Sequence, residues 1–166
     1  MQIRKIELAD LETRVAWMNN PQIYSTMHFQ IPVLIENTIK WYENNKTRED
    51  RFDATFLEEG KVVGFGGLTA IDTEKLMAEL YIFVNPESHK SGIGTRATQM
   101  LCQYGFEVLK LRKIYLYTNE NNIPAIHVYE KCGFVLEGRH RKEAVNPQGG
   151  YYDRMYYGLF KDELNG

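Results

Sequence analysis

Two alternating glycines, Gly92 and Gly94, stand at the end of a turn-prone stretch and at the start of a regular amphipathic helix pattern. A strand-like run that ends at Val84 precedes them. Glycine lets a backbone approach a ligand closely, and the first N–H groups of a helix have no partner within that helix. Such a loop suits the pyrophosphate of a nucleotide or coenzyme. An ordinary glycine-containing helix start is the alternative.

Two common phosphate motifs fit this loop poorly. A Walker loop requires Gly-Lys-Ser/Thr, whereas Gly94 is followed by Thr95 and Arg96. The dinucleotide fingerprint GxGxxG/A is formally present as Gly92, Gly94 and Ala97. That fingerprint follows its strand at once and opens a series of βαβ units, whereas this loop comes late, after an antiparallel meander. The context therefore argues against a nicotinamide or flavin site.

The elements that position this loop follow from hydrophobic periodicity and turn residues. Strands are predicted over about 2–8, 52–58, 61–71, 76–84, 113–119, 134–145 and 152–160. Helices are predicted over about 10–18, 33–45, 94–111 and 123–131. The resulting order, β-α-α-β-β-β-α-β-α-β-β, predicts an α/β fold with a mixed (α+β) sheet. We expect one domain over residues 1–166.

Composition narrows the functional classes. Twenty basic and 22 acidic residues give a net charge of −2, which is no electrostatic footprint for general nucleic-acid binding. Cys102 and Cys132 form no CxxC pair, and the four histidines have no ligand spacing, so we expect neither a disulfide nor a metal. No signal-peptide pattern and no membrane-length apolar run is present in the sequence. These features predict a cytoplasmic protein.

Three stretches, "AELYIFVNP", "HKSGIGTRA" and "NIPAIHVYEKCGF", together resemble the GCN5-related N-acetyltransferase (GNAT) superfamily. In that family a loop R/Q-x-x-G-x-G/A grips the pyrophosphate of acetyl-CoA, and N-x-x-A-x-x-x-Y-E-K-x-G-F lines the thioester. His89 departs from the usual Gln or Arg. The resemblance implies acetyl-CoA as cosubstrate, held by Ile82, Phe83, Val84, His89, Lys90, Ser91, Gly92, Ile93, Gly94, Thr95, Asn122 and Tyr129.

Acetyl transfer to an amine requires that the amine lose a proton, that the thioester oxygen be stabilised and that the leaving thiolate be protonated. The family pattern implies Glu79, within a predicted strand, as the base, acting directly or through water. It implies Tyr129 as the acid. The alternatives are a solvent-facing strand residue and a packed aromatic among eleven tyrosines. Cys102 or Cys132 could act with His127 as a thiol nucleophile, but the sequence favours the interpretation that both cysteines are buried and inert.

The acceptor site is expected where the connection between the first two helices meets the last hairpin. The candidate residues are Trp17, Asn19, Tyr24, Met27, His28 and Tyr152. Their alternative role is ordinary loop packing.

Three branches of the family are similar to this chain: spermidine acetyltransferases, enzymes that acetylate N-termini of ribosomal proteins, and enzymes that acetylate nucleotide-linked amino sugars. Residues 27–45 hold only Glu36 and Glu43 as acids, which disfavours a polyamine. We therefore expect the acceptor to be the amino group of a nucleotide-linked amino sugar or of a similar small molecule. A protein N-terminus, a polyamine and a non-enzymatic acyl-CoA sensor are the alternatives. The basic run 139–142 would contact the phosphate of a sugar nucleotide or form a solvated strand face. Exposed strand edges at the C-terminus would suit a homodimer.

Overall fold

The computed structural model describes residues 1–27, 29–88 and 92–166. Its strands are β1 (Gln2–Lys5), β2 (Phe52–Glu58), β3 (Lys61–Asp72), β4 (Met77–Val84), β5 (Lys113–Asn119), β6 (Val135–Val145) and β7 (Tyr151–Phe160). Its helices are α1 (Leu11–Met18), α2 (Pro21–Tyr24), α3 (Ile35–Asn45), α4 (Ile93–Glu107) and α5 (Ile123–Cys132). Short 3-10 helices cover Leu8–Asp10 and Lys161–Glu163. Within the described residues, no helix is long and apolar enough to cross a membrane.

The strands form a mixed sheet in the spatial order β1-β2-β3-β4-β5-β7-β6. β2 to β4 make the antiparallel meander that the sequence predicts over residues 52–84, and β1 pairs antiparallel with β2. The β2–β3 turn has positive φ at Glu59 and Gly60, the geometry of a type I′ hairpin. β4 pairs with β5 in parallel, and β7 lies antiparallel between β5 and β6. The predicted fold class, a mixed sheet with helices, is confirmed.

Two details differ from the predicted element order. The structure adds the one-turn helix α2, which begins after Asn20, whose side chain accepts a hydrogen bond of 2.9 Å from the Gln22 amide. Helix α4 ends at Glu107 rather than at Leu111. Lys110 takes a positive φ of 57°, and Leu111 returns to the core from beyond the helix end. An apolar contact just past a helix terminus is common, and it prolongs the apolar pattern without prolonging the helix.

The two faces of the sheet are covered differently. α4 and α5 bury one face over a core that includes Leu80, Ile114 and Leu116. α1 to α3 cover the other face only over the meander, where Phe65 and Phe83 pack. Among the described residues, this second core cluster contains none from β5, β6 or β7. The face of β5 and β7 opposite α4 and α5 is therefore free to form part of a site.

The parallel pairing between β4 and β5 is short. Its register runs from Met77 opposite Lys113 to Glu79 opposite Tyr115, and the ladder ends there. Beyond this point β4 continues to pair with β3, and β5 continues to pair with β7. The two strands therefore separate, and a cleft opens through the sheet between them.

Candidate active site

A cleft of about 450 Å³ lies between the separating ends of β4 and β5. Its walls come from both strands, from β7, from the first turn of α4, from the first two turns of α5, and from residues 23–27. Residues that are distant in the sequence thus meet in one cavity. The predicted cofactor-binding residues that line it are Ile82, Phe83, Val84, Gly94, Asn122 and Tyr129.

The start of α4 forms one end of the cleft. Gly92 precedes the helix with a φ of +70°, a left-handed conformation that glycine adopts without strain. A Cβ at Gly94 would lie 3.6 Å from Val128, an ordinary contact, so packing within the chain does not require glycine there. Because Gly94 lines the cleft, its missing side chain leaves room for a ligand.

The other predicted residues of this loop have different surroundings. Ile93 is buried in the core, and the backbone oxygen of Thr95 lies 3.7 Å from the thiol sulfur of Cys132. Arg96 forms an ion pair with Glu58. The positions His89, Lys90 and Ser91 lie outside the described residues.

Glu79 is a half-buried carboxyl at the point where the cleft opens. Its neighbours in the strand, Ala78 and Leu80, are buried on the α4 and α5 side, so the alternation of the strand directs Glu79 to the opposite face. Burial raises the pKa of Glu79 above its ordinary value, and the positive charge of Arg154 acts in the other direction. A carboxylate with a raised pKa is a stronger proton acceptor, as a general base requires.

Tyr129 faces the cleft from α5. Pro124 in the first turn begins this helix well, and Gly133, with a φ of +104°, ends it. The ring of Tyr129 is 7% exposed and packs edge-on against Phe134, with centroids 5.8 Å apart. Its hydroxyl makes no hydrogen bond to any described residue. Burial raises the pKa of this phenol, so it carries its proton at neutral pH and has a proton to donate.

Asn122 occupies the N-cap position of α5 and also lines the cleft. Its side chain makes no capping hydrogen bond, although asparagine at this position often does. Its backbone oxygen instead accepts the first bond of the helix, from the amide of Ile126 at 3.0 Å. The side-chain amide therefore makes no capping bond to the helix and lies at the wall of the cleft.

A group of aromatic side chains that sequence reasoning missed surrounds Glu79. Tyr115, Tyr117 and Tyr156 share its face, with ring centroids 5.1 to 6.3 Å apart. The guanidinium carbon of Arg154 lies 3.9 Å from the ring centroid of Tyr117. We call these four residues the tyrosine face. In both strands they alternate with buried core residues, a pattern that could have been found in the sequence.

Three of the predicted acceptor residues meet in a second cavity of about 480 Å³. Tyr24, Met27 and Tyr152 line it together with the turn between β6 and β7, and Met27 also lines the main cleft. Two others lie elsewhere. Trp17 packs edge-on against Phe65 at 5.2 Å, and Asn19 hydrogen-bonds both backbone groups of Val33.

The last predicted acceptor residue, His28, lies outside the described residues. Trp17 and Asn19 hold the fold at these positions, and neither belongs to the cavities described above.

The remaining chemical candidates are engaged or buried. In the basic run, Arg139 forms ion pairs with Glu120 and Asp153. Cys102 and Cys132 are fully buried, and burial raises the pKa of the Cys132 thiol to about 11, which suits packing rather than nucleophilic chemistry. In the described part of the chain, His, Cys, Asp and Glu side chains form no group of three that would hold a metal.

Known proteins resemble this chain in sequence and in structure. The family model "Acetyltransferase (GNAT) domain" matches residues 1–135. The spermidine N(1)-acetyltransferase of Escherichia coli K12 is 38% identical over 96 residues, which are 57% of this chain and only 52% of that enzyme. The spermidine N(1)-acetyltransferase of Vibrio cholerae is 31% identical over 161 residues, or 94% of this chain and 91% of the relative.

A solved structure shares the architecture throughout. It is a spermidine N-acetyltransferase from Vibrio cholerae in complex with CoA and spermine, 26% identical, with a TM-score of 0.90. The match covers 98% of this chain and 96% of that one. The likeness thus includes the closing strands that lie beyond the family-model match.

Proposed function

The chain belongs to the GNAT family of N-acetyltransferases, whose members take the acetyl group from acetyl-CoA, and we propose that it acetylates the primary amine of a small molecule. One observation carries this proposal: the cleft between β4 and β5 is lined by residues from both sides of the sheet, with Glu79 on the face away from α5 and Tyr129 on α5 itself. A base and an acid on opposite sides of one opening are what transfer between two substrates requires.

Bound acetyl-CoA would supply an activated acyl group as a thioester. The N-terminal turn of α4, with Gly94, suits its pyrophosphate, and the unpaired edge of β4 near Ile82 and Val84 suits its amide-bearing arm. The Asn122 side chain is a further polar partner. These contacts would orient the reacting carbonyl between the two faces.

The proton steps belong to this chain's own residues. An alkylammonium has a pKa of about 10, so the amine must lose a proton before it attacks. Glu79 would accept that proton, directly or through a water molecule, as the C–N bond forms. Formation of the C–N bond is accompanied by cleavage of the C–S bond. Tyr129 would donate its proton to the departing thiolate, whose conjugate thiol has a pKa near 8.5. A backbone amide of β4 would stabilise the charge on the carbonyl oxygen.

A nucleotide-linked amino sugar is the first acceptor that we propose. Among the residues that the structure describes, the main cleft is lined by one carboxylate, Glu79, and one guanidinium, Arg154, and the second cavity by no charged side chain. A polycation would lose its hydration in such a site without gaining several anionic partners. A nucleotide-linked amino sugar brings only one ammonium group, and its phosphate charge is opposite in sign to that of Arg154.

A polyamine is the second candidate, since two relatives are named spermidine N(1)-acetyltransferases and the similar solved structure contains spermine. The tyrosine face favours it too, because aromatic faces attract ammonium groups. Arg154 opposes it by repulsion within the same cleft.

The test measures acetyl-CoA-dependent release of free thiol with three acceptors: a UDP-linked 4-amino sugar, spermidine, and a peptide with a free N-terminus. Tyr129→Phe serves as the control for release that does not depend on the proposed site. Strong release with the amino sugar supports the proposal, and stronger release with spermidine replaces it by the second candidate. Acetyl-CoA binding without release from any amine would contradict an enzymatic role and favour an acyl-CoA sensor.

A further inference from the structure

We propose that Arg154 binds an anionic group of the acceptor, so that the substrate is a primary amine that also carries a phosphate or a carboxylate. This inference rests on the proposed function and names the substrate class within it. Its basis is the position of one guanidinium in the main cleft.

Arg154 and Glu79 project from the same face of the sheet. Arg154 lies opposite Asn119 in the β5–β7 ladder, and Tyr156, two residues on, lies opposite Tyr117. In the β4–β5 ladder, Glu79 lies opposite Tyr115. Side chains of paired residues, and of residues two apart in a strand, point to one side. An acceptor with its amine at Glu79 would therefore lie over the tyrosine face and meet Arg154.

The guanidinium of Arg154 makes no hydrogen bond or ion pair with any described residue. Two acids close to it along β7 and at the end of β5, Asp153 and Glu120, are already engaged. Asp153 binds Arg139 and accepts a hydrogen bond of 2.9 Å from the Lys142 amide. Glu120 also binds Arg139 and accepts one of 2.8 Å from the Asp153 amide. Arg139 thus takes up the neighbouring carboxylates, and Arg154 keeps its donors.

Stacking on Tyr117 orders this side chain without using its donors. A guanidinium that lies over an aromatic ring still presents its N–H groups at the edge of its plane. Those groups match two oxygens of a carboxylate or phosphate, and such charge-assisted pairs are stronger than neutral hydrogen bonds. The partly buried setting reduces competition from water. A dication or trication would instead meet repulsion here.

The test compares matched acceptors that differ in one anionic group: glucosamine 6-phosphate with glucosamine, and an α-amino acid with its carboxamide. Steady-state kinetics are measured for the wild type, Arg154→Gln and Arg154→Lys. Arg112→Gln is the matched control, because Arg112 is exposed before β5 and does not line the cleft.

We expect Arg154→Gln to raise the KM of the anionic acceptor by about 10- to 100-fold, the loss of one charge-assisted pair. The KM values for its neutral partner and for acetyl-CoA should be unchanged. Arg154→Lys should recover part of the loss, because an ammonium lacks the planar fork. Arg112→Gln should match the wild type. A preference confined to the phosphate pair or to the carboxylate pair identifies the group.

Equal losses with charged and neutral acceptors would overturn the inference, since Arg154 would then act only through Glu79 or the fold. The absence of any wild-type preference would overturn it too. Calorimetric titration of the same amines into the CoA complex separates this inference from the proposed function. Anionic amines that bind the wild type more tightly than Arg154→Gln, yet are not acetylated, would support Arg154 and refute acetyl transfer. Equal or absent binding to both proteins would overturn the assignment of Arg154.

Discussion

Replacement of Tyr129 by phenylalanine isolates the proposed acid from the packing of its ring. The ring is 7% exposed and packs against Phe134, and both features survive the change. The hydroxyl makes no hydrogen bond to any described residue, so its removal should alter the free energy of unfolding by no more than about 0.5 kcal/mol. Loss of a positioned proton donor should lower kcat by about 10²- to 10⁴-fold. That factor corresponds to about 3 to 5 kcal/mol of barrier.

A second buried tyrosine provides the matched control. Tyr157 is 2% exposed in the same core cluster, its hydroxyl donates a 3.1 Å hydrogen bond to Glu130, and it does not line the cleft. Tyr157→Phe should therefore cost about 0.5 to 1.5 kcal/mol of stability and leave kcat unchanged. Thiol release and urea unfolding, measured on both variants with acetyl-CoA titrations, give the comparison. Unchanged turnover in Tyr129→Phe, or parallel losses of rate and stability in both variants, would refute the assignment.

Glu79→Gln should lower kcat/KM most near neutral pH. The effect should become smaller as the pH approaches about 10, because the amine then loses its proton unaided. A loss of kcat/KM that is constant across pH would contradict the role of Glu79 as the base. The same variant should be at least as stable as the wild type at neutral pH in urea unfolding. Folding raises the pKa of this carboxyl above 4.5, so its contribution to stability falls as the pH rises through that window. Gly92→Ala should lower the free energy of unfolding by about 1 kcal/mol, because its φ is +70°. Gly94→Ala should instead raise the free energy of unfolding by about 0.5 kcal/mol and weaken acetyl-CoA binding in calorimetric titration. Equal effects of Gly92→Ala and Gly94→Ala would contradict a ligand-facing Gly94.

Most of the fold could be predicted because its strands alternate and its turns carry glycine, asparagine or proline. Helix α2 was missed because four residues are too few for a helical period to show. The buried Arg14 could not be foreseen either. It is 7% exposed on α1, with its guanidinium among the rings of Trp41, Phe65, Tyr81 and Phe83. That environment exists only once α1 has packed against α3, β3 and β4.

The predicted site divides along the same line. The family resemblance is confirmed. It located Glu79 and Tyr129 in the cleft because both lie in continuous motifs, and their catalytic roles stay predictions. The alternation within β5 and within β7 is visible in the sequence, but the tyrosine face as one group was missed because it depends on β7 pairing with β5, a neighbour relation that lies outside either strand's own pattern. Asn19 was proposed for the acceptor site because polar loop residues often bind ligands. In the structure it bridges 14 residues along the chain to hold the Val33 backbone.

The end of the β4–β5 ladder determines both the opening of the cleft and the position of the proposed base. Glu79 is the last paired residue of β4 in that ladder, so the strand edge becomes available to a ligand immediately after it. Ala78 and Leu80 on either side are 0% and 3% exposed, which ties the register to the core. A slip of one residue would bury the carboxylate and expose two core side chains. Core packing therefore holds Glu79 at the mouth of the cleft, and the proposed base requires no dedicated hydrogen bond to keep it there.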